Sequence, residues 1–263
     1  MSFQFLLVER RGAVEYVTLN RPDVRNAFNE HVIAELTAWA ARAHADSALR
    51  AVVFAGAGKV FSAGADAAWM AKMAGYSRDE NVRDAEAGAR MFEAINTVPA
   101  IVMARVHGAA LGGGCGLAAV CDIVVADEAA TFGFTETKLG ILPAMISPYV
   151  LQKIGASAAR ELFLTGRRFD ATRAREIGLV HSVVPKENLD STIGQYVSEA
   201  LSAAPTAVAR AKALIPRVLG RPTTEVMAIT TEAIAAQRVS AEGQDGLKAF
   251  LAKGKPGWVP DEP

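Results

Sequence analysis

Cysteine is nearly absent from this 263-residue chain, which carries only Cys115 and Cys121. The two lack C-x-x-C spacing, so neither a disulfide framework nor a zinc site is expected, and the cytoplasm is the expected home. No apolar run approaches membrane-spanning length. The start, Met1 to Val8, is apolar but stops at Glu9-Arg10-Arg11 without a basic front or a small-residue cleavage site, and reads as a strand, not a signal peptide. An excess of charge is also lacking. The 28 basic and 28 acidic residues cancel, which gives no general attraction for nucleic acid or anionic lipid. The four histidines, His31, His44, His107 and His181, show no ligand spacing, and no serine sits in a G-x-S-x-G elbow. No metal is expected.

What is present is enough apolar residue, 51% of the chain, to bury a full core. Short β-rich runs recur at Phe5 to Glu9, Val14 to Leu19, Ala51 to Ala55, Ile101 to Val106, Ile123 to Ala126 and Leu179 to Val184. Helical patterns lie between them, at His31 to Ala45, Glu80 to Thr97 and Ala171 to Ile177, which predicts an α/β fold with sheets covered by helices. From about Lys186 the pattern is helical only: Leu189 to Ala203, Ala207 to Leu219, Thr223 to Arg238 and a last short helix over Gly246 to Lys253. The division expected is an α/β core at 1–185 and a helical region at 186–263. So small a helical region has too little core of its own, so it is expected to bury an apolar face on a neighbouring subunit.

The densest signal is Gly112-Gly113-Gly114, set between the apolar segment Ala100 to Val106 and the helical run Leu117 to Val120. Three missing Cβ atoms where a strand gives way to a helix let backbone N–H groups face a ligand. A helix start favours an oxygen that gains negative charge. The spacing fits neither a P-loop nor a dinucleotide fingerprint, since Cys115 and Gly116 follow. Taken alone, a packing turn and an oxyanion site both remain open. A second glycine loop, Phe61-Ser62-Ala63-Gly64-Ala65-Asp66, follows the run Ala51 to Ala55 and could add a second N–H to the same oxygen.

In this order FSAGAD at 61–66, GAALGGGCGLAAVCD at 108–122 and FGFTETKLGILP at 132–143 resemble the enoyl-CoA hydratase/isomerase, or crotonase, superfamily. The likeness runs from LNRPDVRNAFN at 19–29 to AFLAKGKPGW at 249–258, essentially the whole chain. It implies a spiral of repeated β-β-α turns with a C-terminal helical oligomerisation region, in a homotrimer or dimer of trimers. It also implies an acyl-CoA thioester substrate, with coenzyme A as part of that substrate and no separate cofactor. The N–H groups of Ala65 and Gly113 would form an oxyanion hole around the thioester carbonyl, beside Gly112. Ala63 and Ala65 resemble positions that meet the adenine side, with Asp66 next to them. Phe250 and Lys253 resemble the pair that reaches the adenosine phosphate end across a subunit interface, and Arg25 is a further candidate contact.

Glu136 matches one acid/base of the family, but the second glutamate of the hydratase pattern would stand at Gly116, which has no carboxylate. One carboxylate can serve both steps of water addition through the water itself, or can shuttle a proton between α and γ carbons as an isomerase does. The segments GADAAWMAKM at 64–73 and LGILPAMISPYVLQKIG at 139–155 resemble bacterial methylglutaconyl-CoA and isohexenylglutaconyl-CoA hydratases of leucine and isoprenoid breakdown, which favours hydration. A distal carboxylate on such a substrate would call for a cation, and Lys72 and Lys138 are candidates. The alternatives are a double-bond isomerase and a non-catalytic CoA- or RNA-binding assembly protein; zero net charge gives the RNA version no support.

Overall fold

A computed structural model of the chain describes residues 3–259. Strands β1 (Leu6–Arg11), β2 (Val14–Leu19), β3 (Ala51–Gly56), β4 (Ile101–Val106), β6 (Ile123–Asp127) and β9 (Ser182–Val184) form the larger sheet, in the order β1-β2-β3-β4-β6-β9. Only the β1–β2 pair is antiparallel; the other pairs are parallel. A parallel sheet is covered on both faces, and the alternation within β3 shows how. Val52 and Phe54 enter the main core with Leu36, Trp39 and Met91, whereas Ala51 and Val53 join Leu189, Ile193 and Val197 on the opposite face.

The main-core face is covered by α1 (Glu30–Ala45) and α3 (Arg78–Asn96). Asn29 caps α1 by accepting the Val32 N–H, and Val32, Ile33, Leu36, Trp39, Ala40 and Ala43 then form one buried stripe at helical spacing. Ser77 and Glu80 form a reciprocal capping box at the start of α3, which is why that helix begins two residues before the expected Glu80.

A second sheet, of the three-residue strands β5 (Ala109–Leu111), β7 (Thr131–Gly133) and β8 (Arg168–Asp170), was not legible in the sequence. Each turn of the chain lays one strand in the large sheet and its continuation in or beside the small one: β4 then β5, β6 then β7. In the same way β3 continues into residues that bridge Ser62 to Ala110 and Phe28 to Ala65. This is the spiral of β-β-α turns that the resemblance implied, and it brings the ends of successive turns together at the small sheet.

Helix α5 (Ser147–Thr165) was also not anticipated. The strand expected at Leu179 to Val184 is shorter, because Leu179 and Val180 are buried in the main core ahead of β9. Helix α6 (Ala171–Glu176) precedes them. The C-terminal region comprises α7 (Leu189–Ser202), α8 (Pro205–Val218), α9 (Thr223–Arg238) and α10 (Ala241–Leu251). Helix α7 covers the outer face of the large sheet. Lys212 of α8 donates from Nζ to Asp122 Oδ2 at 2.7 Å, and Arg50 donates to the carbonyls of Leu201 and Ala203 at the end of α7 and of Trp258 beyond α10. Ile215, Leu219, Met227, Ile234, Leu247 and Phe250 remain exposed on α8 to α10 and the residue that follows α8.

Candidate active site

Two loops converge on Phe28. Its backbone pairs with the first of them, donating to Gly64 O at 2.7 Å and accepting from Asp66 N at 2.8 Å, so the intervening Ala65 N–H points away from that bridge. Its ring lies under the second loop, where a Cβ on Gly113 would come within 2.8 Å of Cδ2. Gly64 holds φ +93°, and a side-chain carbon there would stand 2.8 Å from Leu111 O and 3.7 Å from Gly112 Cα. Only a glycine permits both that backbone and that approach.

The helix α4 (Gly113–Val120) starts at Gly113 rather than at the expected Leu117, so the glycines form its first turn. Full burial from Gly114 to Val120 outweighs their low helix propensity. Gly113 therefore presents one of the N–H groups that a helix cannot pair internally. Among the described residues, neither the Ala65 N–H nor the Gly113 N–H has a hydrogen-bond acceptor. Both residues line one cavity of about 260 Å³, together with Ala63, Gly112 and Glu136.

Glu136 opens a single 3-10 turn, Glu136–Leu139, separated from β7 by Phe134 and Thr135. Its Oε1 would stand 3.2 Å from a Cβ on Gly112, and its Oε2 is buried with no hydrogen-bond partner. Burial holds its carboxyl above the usual glutamate range of about 4.5. Two unpaired N–H donors and a half-buried carboxyl with a free oxygen thus share one cavity. Such a set can hold an anionic oxygen and move a proton beside it.

The position where a second carboxylate would stand is filled. A Cβ on Gly116 would overlap Ile146 Cγ2 and come within 3.1 Å of Phe92 Cζ. The glycine accommodates Ile146, the residue that precedes α5. The rest of the wall is largely apolar: Trp69, Met70 and Met73 of α2 (Ala67–Met73), Met91 and Phe92 of α3, and Leu139, Ile141, Leu142 and Met145 of the connecting segment.

Other candidates fall elsewhere. The Asp66 carboxylate caps α2, accepting from Ala68 N and Trp69 N, and pairs with Arg21 at 2.9 Å. Burial would raise its pKa, but Arg21 and the two N–H groups outweigh that and hold it below the usual range. Its side chain is spent on structure, and it does not line the cavity. Arg25 is exposed, with φ +55°, and its carbonyl accepts the Ala63 N–H at 2.9 Å, so its backbone positions the first loop. Phe250 is 79% exposed near the end of α10, Lys253 lies just beyond, and neither lines the cavity within one chain. Lys72 pairs with Glu30, Lys138 packs by Gly166, and neither reaches the cavity wall. Cys115 is fully buried, donates to Ala110 O and has its thiol pushed up by burial. Among the described residues no three His, Cys, Asp or Glu side chains stand together as a metal cage.

Three contributors escaped the sequence reading. Asn26 is buried and braces the first loop, with Nδ2 donating to Ala57 O and Val60 O and Oδ1 accepting from Arg21 N. Ile146 fills the place beside Gly116. Asp84 lines the cavity and accepts from Trp69 Nε1 at 3.2 Å.

Known proteins carry the same architecture. An enoyl-CoA hydratase of known structure from Shewanella pealeana is 36% identical, with 97% of this chain and 96% of its own aligned and a TM-score of 0.94. An enoyl-CoA hydratase/isomerase from Marinobacter aquaeolei is 37% identical, with 97% and 99% aligned and a TM-score of 0.91. The short-chain-enoyl-CoA hydratase of Clostridium acetobutylicum is 33% identical over 257 residues, 97% of each chain. The sequence pattern of the family described as enoyl-CoA hydratase/isomerase matches residues 9–261. On fold, sequence and coverage, this chain belongs to the enoyl-CoA hydratase/isomerase family.

Proposed function

We propose that the protein adds water reversibly to the double bond of an α,β-unsaturated acyl-CoA thioester. The observation that carries this reading is the meeting of two acceptor-free N–H groups, on Ala65 and Gly113, with the Glu136 carboxyl in one largely apolar cavity. The two N–H groups receive the thioester oxygen as it takes on enolate charge, each such donor being worth about 3 kcal/mol in a water-poor site. Glu136 takes a proton from water as the water attacks the β-carbon, then returns a proton to the α-carbon. The filled position at Gly116 leaves both transfers to this one group. The hydratases among the relatives support hydration.

For the acyl group, the sequence likeness supports a methylglutaconyl- or isohexenylglutaconyl-type chain. In this reading coenzyme A would run along the Ala63 and Ala65 loop, with Arg25 at its edge, and Phe250 and Lys253 would meet the phosphate end of a neighbouring subunit's ligand in a trimer or dimer of trimers. The exposed apolar residues of α8 to α10 support such an assembly. Purified protein offered methylglutaconyl-CoA, isohexenylglutaconyl-CoA and crotonyl-CoA tests the reading through loss of the conjugated absorbance. Hydration of at least one supports it, and a flat signal with all three defeats it.

The second reading is double-bond isomerisation, which the lone carboxylate also suits. A β,γ-unsaturated thioester converted to the conjugated form without uptake of water would favour it.

Two expected results follow from the site. Gly64→Ala forces a side chain into φ +93° and against Leu111 O, which turns the Ala65 N–H away. Turnover should fall on the order of 100-fold, as for loss of one such donor, read in steady-state kinetics alongside a melting curve. The pH profile should carry Glu136's signature. Because the ionised form is the base and burial raises its pKa, kcat/KM should decline on the acid side at a pH above the 4.5 of an ordinary glutamate. A profile flat through that region would count against Glu136 as the base.

A further inference from the structure

One wall of the cavity carries a carboxyl that the hydration chemistry does not use. Asp84, Gly88 and Phe92 stand at helical spacing along α3, and all three line the cavity. Phe92 lies against Gly116, and Gly88 is close enough to Met145 that a Cβ would come within 2.8 Å of its Sδ. Asp84 is eight residues before Phe92, about 12 Å along the helix axis. It therefore does not replace the carboxylate missing at Gly116. It stands instead beside Trp69, whose Nε1 fixes its Oδ1 at 3.2 Å. Among the described residues no donor is paired with its Oδ2.

The neighbouring wall is made of Trp69, Met70 and Met73, which offer a plain alkyl chain all the contact it needs. A carboxyl there costs desolvation, and burial does raise the Asp84 pKa despite the Trp69 bond. Polar groups set in an apolar pocket orient a ligand and reject analogues that lack the matching group. We infer that Asp84 is a specificity-determining residue that accepts a hydrogen bond from a hydroxyl carried on the acyl chain beyond the reacting double bond. A hydroxyl donates to the free oxygen of Asp84, whereas a second carboxylate brings no proton and is repelled. The inference rests on the hydration reading above.

The test compares the full-length wild type, Asp84→Ala, Asp84→Asn and Trp69→Phe on crotonyl-CoA, methylglutaconyl-CoA and an enoyl-CoA bearing a terminal hydroxyl. The readout is the ratio of kcat/KM for each oxygen-bearing substrate to that for crotonyl-CoA. Asp84→Ala should not lower that ratio for methylglutaconyl-CoA, whose carboxylate brings no proton, and should lower it about 10-fold for the hydroxyl-bearing substrate, the loss of about one hydrogen bond. Asp84→Asn should restore most of it, because an amide both donates and accepts. Trp69→Phe should lower the ratio less, through KM, by freeing the carboxyl. Hydration with a hydroxyl-substrate ratio that Asp84→Ala does not lower overturns the inference alone. Absence of hydration by the wild type overturns the reading on which it rests.

Discussion

Glu136→Gln should cost at least about 100-fold in turnover while leaving affinity for coenzyme A nearly unchanged. The amide keeps the shape of the carboxyl but can neither accept a proton from water nor return one to carbon, so acid/base catalysis is lost and binding is retained. The same variant should gain stability at neutral pH. A carboxyl whose folded pKa is raised by burial favours the folded state below its unfolded pKa and loses that contribution as pH rises through the folded value. The glutamine variant has no such loss, so its melting temperature should exceed that of the wild type at neutral pH, and the gap should close as pH falls toward 4.5. Equal turnover in the two proteins, by steady-state kinetics, would remove Glu136 from the chemistry.

Gly116→Glu should not create a better hydratase. The added Cβ overlaps Ile146 Cγ2, and Phe92 blocks the other side, within a helix buried from Gly114 to Val120. Overpacking of this kind costs about 1–3 kcal/mol, and burying a carboxylate without a partner adds to it. A loss of about 3 kcal/mol or more is expected in denaturant unfolding, with turnover lowered rather than raised. Combining it with Ile146→Ala opens the space and should recover part of the stability. A singly substituted protein with wild-type stability and faster hydration would show that the site accepts two glutamates after all.

These two positions also show what the sequence could convey. The two glycine loops were legible because each departs from ordinary composition, with three glycines in a row and a glycine inside FSAGAD, whereas Glu136 was singled out by the family resemblance alone. The filling of Gly116 by Ile146 was not, since nothing local to either residue says that they meet. Asp84 reads in sequence as part of a charged helix surface, and only the structure shows that it meets Trp69 of α2 at the cavity wall. The small sheet was missed because three-residue strands are too short to show an alternation. Helix α5 was missed because its start at Ser147-Pro148 reads as a turn and Gly155, at φ +69°, interrupts its pattern. Lys72 and Lys138, chosen for their charge, proved to lie away from the cavity wall, and Asp66 proved to be a helix cap. Charge alone is a weak guide to which side of a helix a residue occupies.

The most direct test supplies the purified protein with an enoyl-CoA in water labelled with heavy oxygen and follows the product by mass spectrometry. The account predicts a 3-hydroxyacyl-CoA carrying one labelled oxygen, formed at least about 100-fold more slowly by Glu136→Gln. A conjugated or shifted double bond without label, or saturable binding of coenzyme A with no product, would contradict it.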